Sequence, residues 1–352
     1  MNGYLIPIHF LYSQKVAEML HADSGGRLSY LAENASIGLD CAGDVNFVSH
    51  AHMDHVPNGK AGSLLCSDAT AELISTRSRL RHNGHQQHGK IGDTSMSLED
   101  SGHVLGSRQI VIEGNSDKFV YTADLRTEDS ILFKGAKPVE CDSLLIESTY
   151  GLPKFAFPER AQVYSEISDF VKKEVASGNC VVLGGYALGK AQELVKILNE
   201  HVGITPVVSD EIGEVCAVYK RHGIGLDYVT SSSDEGIKAL SHNFVAVLAQ
   251  NKVNAKMAAA LSSQYSRKIT TAVATGWAQN PAWGFNVDRM FCLSDHCDFS
   301  DLCAFTEATG AKKIYVNHGY SREFARELKK KGLNAIAVDD MRPAKGQRTL
   351  VG

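Results

Sequence analysis

Val45-Asn46-Phe47-Val48-Ser49-His50-Ala51-His52-Met53-Asp54-His55 is the stretch on which the reading of the fold turns. Its first four residues alternate as a buried strand does, and its last six hold three imidazoles and one carboxylate. The pattern predicts a strand with a loop at its carboxyl end, where His50 and His52 can point one way while Asp54 and His55 turn toward a second ion. Such density is what a dinuclear metal site needs. The bland alternative is a solvated histidine loop or a tag remnant, but a tag would be terminal and would not follow an apolar strand.

The wider chain is compatible with that reading. At 352 residues, 43% hydrophobic and 22% charged, it has the composition of one large or two ordinary globular domains. No apolar run approaches the ~20 residues of a membrane helix, and the opening MNGYLIPIHFLYSQKV has neither a basic leader nor a small-residue cleavage site, so a cytoplasmic protein without membrane contact is expected. Cysteines 41, 66, 141, 180, 216, 292, 297 and 303 lack CxxC spacing, which argues against a disulfide framework or zinc knuckle; Cys292, Cys297 and Cys303 read as small buried apolar residues. A formal net charge of −4 shows no global basic face, so a polyanionic partner would need local positive charge.

Up to about residue 150 the texture is strand-rich: Ile37-Leu39, Val45-Val48, Ser63-Cys66, Gln109-Ile112, Phe119-Thr122 and Ser143-Ile146 are short apolar runs broken by Gly, Asp and Asn. Beyond residue 159 helix and strand alternate as in a parallel α/β unit, with a helix from Ala161 to Ala176, a strand at Cys180-Leu183 and a helical stripe at Leu188, Ala191, Val195 and Leu198. After residue 286 come a strand at Met290-Leu293, a helix capped by Asp298 or Ser300, a strand at Lys313-Val316 and a helix capped by Ser321. The texture thus changes near 155 and again near 280, which marks the expected divisions 1–155, 156–280 and 281–352.

Further ligand types stand where strands end. His103 lies in Ser101-Gly102-His103-Val104-Leu105-Gly106-Ser107, Asp124 follows Phe119-Val120-Tyr121-Thr122-Ala123, and His318 follows Ile314-Tyr315-Val316-Asn317. Each alone is weak, because a lone His or Asp at a strand end is usually a cap or a surface group. Together they are the residue types that borderline divalent metals select.

Through SHAHMDH, SGHVLGS, YTADLR, ESTYG, LSDHCDF and NHGY the chain resembles the metallo-β-lactamase superfamily, and within it the β-CASP nucleases. The resemblance implies an α/β fold, the αββα sandwich, carrying an inserted parallel α/β domain. It implies that His50, His52 and His103 hold one metal, that Asp54, His55 and His318 hold the other, and that Asp124 bridges them. Asp40 would be the carboxylate that orients a ligand, although Cys41 stands where the family more often has proline. Glu147 matches the acidic residue of the first β-CASP block, His296 the histidine of the second and His318 that of the third. The cofactors implied are two divalent ions, zinc first, with manganese or iron also compatible. Such ions supply a nucleophile and neutralise phosphate charge, Asp54 standing beside them, while His296 would be the general acid for the leaving alkoxide and Glu147 its orienting group.

Gly184-Gly185-Tyr186-Ala187-Leu188-Gly189-Lys190-Ala191 matches GxxxxGK between a strand and a helix, but alanine stands where a P-loop needs Ser or Thr, so an ATP site is rejected. What survives is a turn in which Gly189 and Lys190 could grip a backbone phosphate, with Thr275 of Ala274-Thr275-Gly276-Trp277-Ala278 as a further contact. The competing reading is a Gly-rich turn with a solvated lysine. GYALGKAQEL and ATGWA resemble most the DNA-ligase-associated exonucleases of bacteria and archaea. One departure is Gln279-Asn280-Pro281-Ala282-Trp283-Gly284-Phe285-Asn286-Val287-Asp288-Arg289, where those enzymes tend to be Arg-rich. Arg77, Arg79, Arg81, Lys90 and histidines 82, 85 and 88 form a local basic patch, which could border the cleft and meet an entering strand but is read first as a solvated loop because no aromatic residue interleaves it.

The expected function is therefore a two-metal nuclease, an exonuclease on single-stranded DNA in repair, with an RNA-processing ribonuclease as the alternative. A homodimer and a DNA ligase or repair partner are compatible with it. A small-molecule metallohydrolase would not need a second domain over its site, and a non-catalytic partner subunit would have lost ligands, which this chain has not.

Overall fold

The computed structural model describes residues 19–341 apart from 24, 34, 58–61, 79, 81, 115–116 and 280–283; Arg79, Arg81 and residues 280–283 of the poorly charged stretch therefore lie outside the described residues, as does the amino-terminal segment. Two sheets pack face to face. The first orders Leu20–Ala22, Leu28–Ala32, Ala35–Leu39, Val45–Phe47, Leu64–Leu65 and His85–Gln86 side by side. The second orders Ala335–Ala337, Lys313–Asn317, Ser143–Glu147, Lys118–Tyr121, Arg108–Glu113, Thr94–Asp100 and His88–Ile91.

Side-chain alternation explains the layering. In the second sheet Ile110, Ile112, Phe119, Tyr121, Leu145 and Tyr315 face the first sheet, where they meet Tyr30, Ile37 and Phe47. Their neighbours Val111, Val120, Leu144, Ile146, Ile314 and Val316 face the other way, against the helices Phe299–Ala308 and Ser321–Lys330. A sheet buried on both faces reads as continuous apolar runs, which is why these strands were legible while the more polar Thr94–Asp100 was not. Asp298 caps its helix as expected, its side chain accepting from the Asp301 N–H. Ser321 does not cap; it is the first helical residue, and its hydroxyl donates to Asp339 at 2.8 Å. Cys297 and Cys303 are buried, but Cys292 is only half-buried.

The third sheet is parallel throughout, in the order Val229–Thr230, Val207–Val208, Val245–Ala249, Cys180–Gly185, Ile269–Ala274 and Arg289–Phe291. Its last strand lies past residue 280, so the inserted sheet closes on 289–291. Among the described residues no helix is long and apolar enough to cross a membrane.

What positions the site is a shared edge. Ala35–Leu39 pairs in parallel with Val45–Phe47, and Lys118–Tyr121, Ser143–Glu147 and Lys313–Asn317 run parallel to one another. Their carboxyl ends therefore coincide, and Asp40, His50, Asp124, Glu147 and His318 emerge together. Asp40, Ala123 and His318 hold left-handed backbone at φ 55°, 50° and 57°, a conformation that costs a non-glycine residue about 1–2 kcal/mol and that recurs where function dictates geometry.

Candidate metal centre

Each buried imidazole at this edge has one nitrogen committed outward. The Ser49 hydroxyl donates to Asp40 at 2.8 Å, so its oxygen accepts from His50 Nδ1–H at 2.9 Å. His55 Nδ1–H donates to Asp40 Oδ2 at 2.8 Å, a carboxylate that also accepts from the Tyr121 hydroxyl and the Ser49 amide. His52 Nε2–H donates to Leu188 O at 3.1 Å, His103 Nδ1–H to Asp295 O at 2.9 Å, and His296 Nδ1–H to Glu147 Oε1 at 2.8 Å. These partners occupy one nitrogen of each ring, and the other nitrogen turns inward.

The inward atoms converge on Asp124. Its Oδ2 lies 3.6 Å from His50 Nε2, 3.5 Å from His55 Nε2, 3.5 Å from His103 Nε2 and 4.0 Å from His296 Nε2. His52 Nδ1 stands 2.9 Å from His50 Nε2 and 3.1 Å from His103 Nε2. Acceptors facing acceptors repel unless a cation lies between them. Ligand atoms on one tetrahedral ion with bonds of ~2.0–2.1 Å are about 3.4 Å apart, close to the His–Asp124 separations. The donor set thus fits divalent metal: His50, His52, His103 and Asp124 in one grouping, His55, Asp124 and His318 in a second. Nitrogen and carboxylate ligands suit zinc, manganese and iron alike.

Asp54 departs from expectation. Its side chain is 79% exposed, with Oδ2 3.8 Å from His55 Nε2, so it stands at the rim beside the second grouping rather than within it. Glu147 is buried; beyond His296 it accepts from the amides of Leu125 and Thr149 at 2.7 and 3.2 Å, and it does not line the cavity. With Asp124 and His296 it forms a third group of ligand-type atoms, and it meets the cavity through His296.

The turn expected to grip phosphate is also engaged inside the protein. Lys190 lines the cavity, yet it is only 2% exposed and its Nζ pairs with Asp295 Oδ1 at 2.7 Å. The Gly189 amide donates to the Gln192 side chain at 2.8 Å. Gly189 is needed for close approach: at φ 96°, a Cβ there would sit 2.6 Å from Val104 Cγ1. Thr275 does line the cavity, although its hydroxyl oxygen accepts from the Trp277 amide at 3.3 Å.

A cavity of about 420 Å³ opens over the cluster, walled by His55, Asp124, His296, Tyr186, Trp277 and Arg77. A second, of about 290 Å³, shares Asp54, His55 and His318 and continues past Arg27. Sequence reasoning missed Tyr186 and Trp277, and of its two readings of the patch with Arg77, a solvated loop or a border of the cleft, Arg77 follows the second. Tyr186 is 49% exposed beside His52, Trp277 packs on Tyr150 with ring centroids 4.6 Å apart, and Arg77 donates to Ala51 O. The signal was available in one respect only: Tyr186 and Trp277 stand inside blocks already singled out.

Burial pushes His50 and His103 well below the ordinary imidazole range, reinforced by neighbouring imidazoles, so both are neutral ligands in waiting. Burial also pulls on His55, but Asp124 and Asp40 outweigh it and hold His55 up at about 10. Near neutral pH the metal-free protein therefore keeps a second proton on His55, at Nε2, and a metal must displace it. Adding zinc to the chelator-stripped protein near neutral pH should release protons, read with an indicator dye in weak buffer, and apparent affinity should fall as pH falls. Zinc binding with no proton release would contradict this assignment.

No family model matches the chain. It is 30% identical over 306 residues to a probable DNA ligase of Opitutus terrae, an alignment covering 84% of this chain and 29% of the ligase. It is 28% identical over 189 residues to an RNase J-like protein of Methanocaldococcus jannaschii, covering 46% of this chain and 45% of that protein, and 26% identical over 271 residues to the probable RNase MJ4 of the same organism, covering 65% and 61%. The chain thus spans less than two thirds of each of these relatives. A crystallised protein of unknown function from Enterococcus faecalis V583 shares the fold, with TM-score 0.57 and 13% identity over 86% of this chain and 79% of that one. A two-sheet sandwich with a metal-type donor cluster beside a parallel sheet, in a sequence related to proteins of these names, supports the β-CASP family of the metallo-β-lactamase superfamily as the family of this chain.

Proposed function

We propose that this protein is a two-metal phosphodiesterase that hydrolyses nucleic acid, with zinc as its metal and single-stranded DNA as its substrate, cut as an exonuclease in repair. Two bound divalent ions would supply a nucleophile at neutral pH and neutralise the charge of a phosphodiester. His50, His52 and His103 would hold one, His55 and His318 the other, with Asp124 shared between them and Asp54 in reach at the rim.

The observation that carries the reading is His296. Its Nε2 faces the cluster 4.0 Å from Asp124 while Glu147 fixes Nδ1. Burial lowers its basicity, yet Glu147 and Asp124 hold it up at about 9, so the ring keeps a proton at neutral pH that it can hand to a leaving alkoxide. Arg77 offers a fork for phosphate, and Tyr186 and Trp277 offer faces on which bases can stack. Cavities on both sides of Asp54, His55 and His318 suit a polymer crossing the site better than a compact small molecule.

DNA is favoured because the alignment with the probable DNA ligase runs over 84% of the chain. A second reading, ribonuclease, is favoured by the relatives named RNase, whose alignments cover 46% and 65%. End-labelled single strands of DNA and RNA, labelled at either end and incubated with zinc or manganese, separate the two. Progressive shortening of DNA from one end, stopped by chelator, is expected. Faster cutting of RNA establishes the second reading, and two intact substrates across a metal screen overturn both. Tyr186→Ala and Trp277→Ala should raise KM more than they lower kcat, since stacking contributes roughly 1–3 kcal/mol per base.

A further inference from the structure

We infer that Lys190 is a positioning residue for the first metal site, acting through Asp295 to hold the two carbonyls that aim His52 and His103; the inference rests on the two-metal reading above. His50 and His55 are oriented from within the sandwich, by Ser49 and Asp40. His52 and His103 are not. The acceptor for His52 is Leu188 O, on the turn that opens the inserted helix Lys190–Ile197, and the acceptor for His103 is Asp295 O, on the loop that returns from the inserted sheet.

One buried ion pair joins those two segments. Lys190 Nζ and Asp295 Oδ1 are 2.7 Å apart, with side chains 2% and 10% exposed. Arg160 braces the same loop, donating to Ser294 O from both terminal nitrogens at 2.9 and 2.7 Å, and lies 3.2 Å from Glu193 of the same inserted helix. Gly189 seats the turn against Val104, next to His103. Burying an ammonium and a carboxylate costs more desolvation than a methionine and a leucine would, so stability alone is a weak reason for the pair. Fixing the separation of Leu188 O and Asp295 O is a stronger one, because acceptors behind ligating imidazoles set ring orientation and metal affinity. The two sites should therefore respond unequally: the first depends on the inserted domain, the second on the sandwich alone.

The test titrates Zn²⁺ against a competing chelating dye, using the whole chain stripped of metal, for wild type, Lys190→Met, Lys190→Arg and Asp295→Asn. Wild type should bind two equivalents. Lys190→Met and Asp295→Asn should keep one tight equivalent and bind the other about 10–100-fold more weakly, the usual effect of losing an outer partner, while Lys190→Arg recovers part of the loss. A folded variant that binds both equivalents as wild type does overturns the inference, as does equal weakening of both. Should Lys190→Met fail to fold, Asp295→Asn carries the test, and failure of both even with zinc would mark the pair as merely structural and overturn it too. If wild type binds no metal, the two-metal reading falls instead, and that result is visible before any variant is made.

Discussion

Asp124→Ala should abolish nucleic-acid hydrolysis and empty most of the metal site. Asp124 belongs to both proposed ion groupings and lies 3.5–3.6 Å from His50, His55 and His103, so no other residue at the edge is shared so widely. Without it, buried imidazoles face one another with no anion to attract a cation, and the two ions lose their common ligand. The expected fall in kcat/KM is on the order of 10⁴-fold, the scale seen when one member of a cooperating catalytic unit is removed. Metal content, measured by elemental analysis after gel filtration, should drop from two equivalents to one or none. A variant that keeps two ions and a tenth of wild-type activity would show that Asp124 is not the bridge.

His296→Ala should do nearly the opposite to metal and much the same to turnover. Its outer nitrogen is bound to Glu147 and its inner nitrogen sits farther from Asp124 than those of His50, His55 and His103, so both ions should stay. Turnover should fall about 10²–10⁴-fold, the usual contribution of a positioned proton donor. The pH profile supplies the sign. A general acid works only while protonated, so wild-type kcat should decline as pH rises through the His296 pKa. That pKa is about 9 without ions and lower beside two cations. Glu147→Gln removes the carboxylate that raises it and should move the alkaline limb to lower pH; His296→Ala should lose that limb. Loss of metal from His296→Ala would make the residue a ligand, and an unmoved limb in Glu147→Gln would deny Glu147 its orienting role.

Legibility in the sequence followed chemistry. His50, His52, His55, His103, Asp124 and His318 could be picked out because their residue types are themselves the signal, and parallel strands ending at one edge then brought them together. The doubly buried strands announced themselves for a related reason, as apolar runs on both faces. The partner of Lys190 was not legible, because a glycine-rich turn with lysine looks alike whether its charge meets a phosphate or the carboxylate of Asp295, about a hundred residues later. Arg77 and Tyr186 were mute for want of neighbours: an arginine at the end of the helix Asp68–Arg77 and a tyrosine in a turn acquire meaning only once the inserted domain closes a cavity over the cluster. Ser321 was misplaced by one residue, because its hydroxyl had a better partner in Asp339 than the helix amides offered.

The acceptors behind His52 and His103 are main-chain oxygens. Any residue other than one that distorts the backbone can present the same carbonyl, so Leu188 and Asp295 carry an essential contact through atoms that no side-chain substitution removes. Alanine scanning would pass over the contact at Leu188, and divergence can rewrite the identity there without touching the site. For an engineer the implication is that Leu188 can take a new side chain, but a change in the length of the 186–189 turn would misdirect an imidazole at the reaction centre.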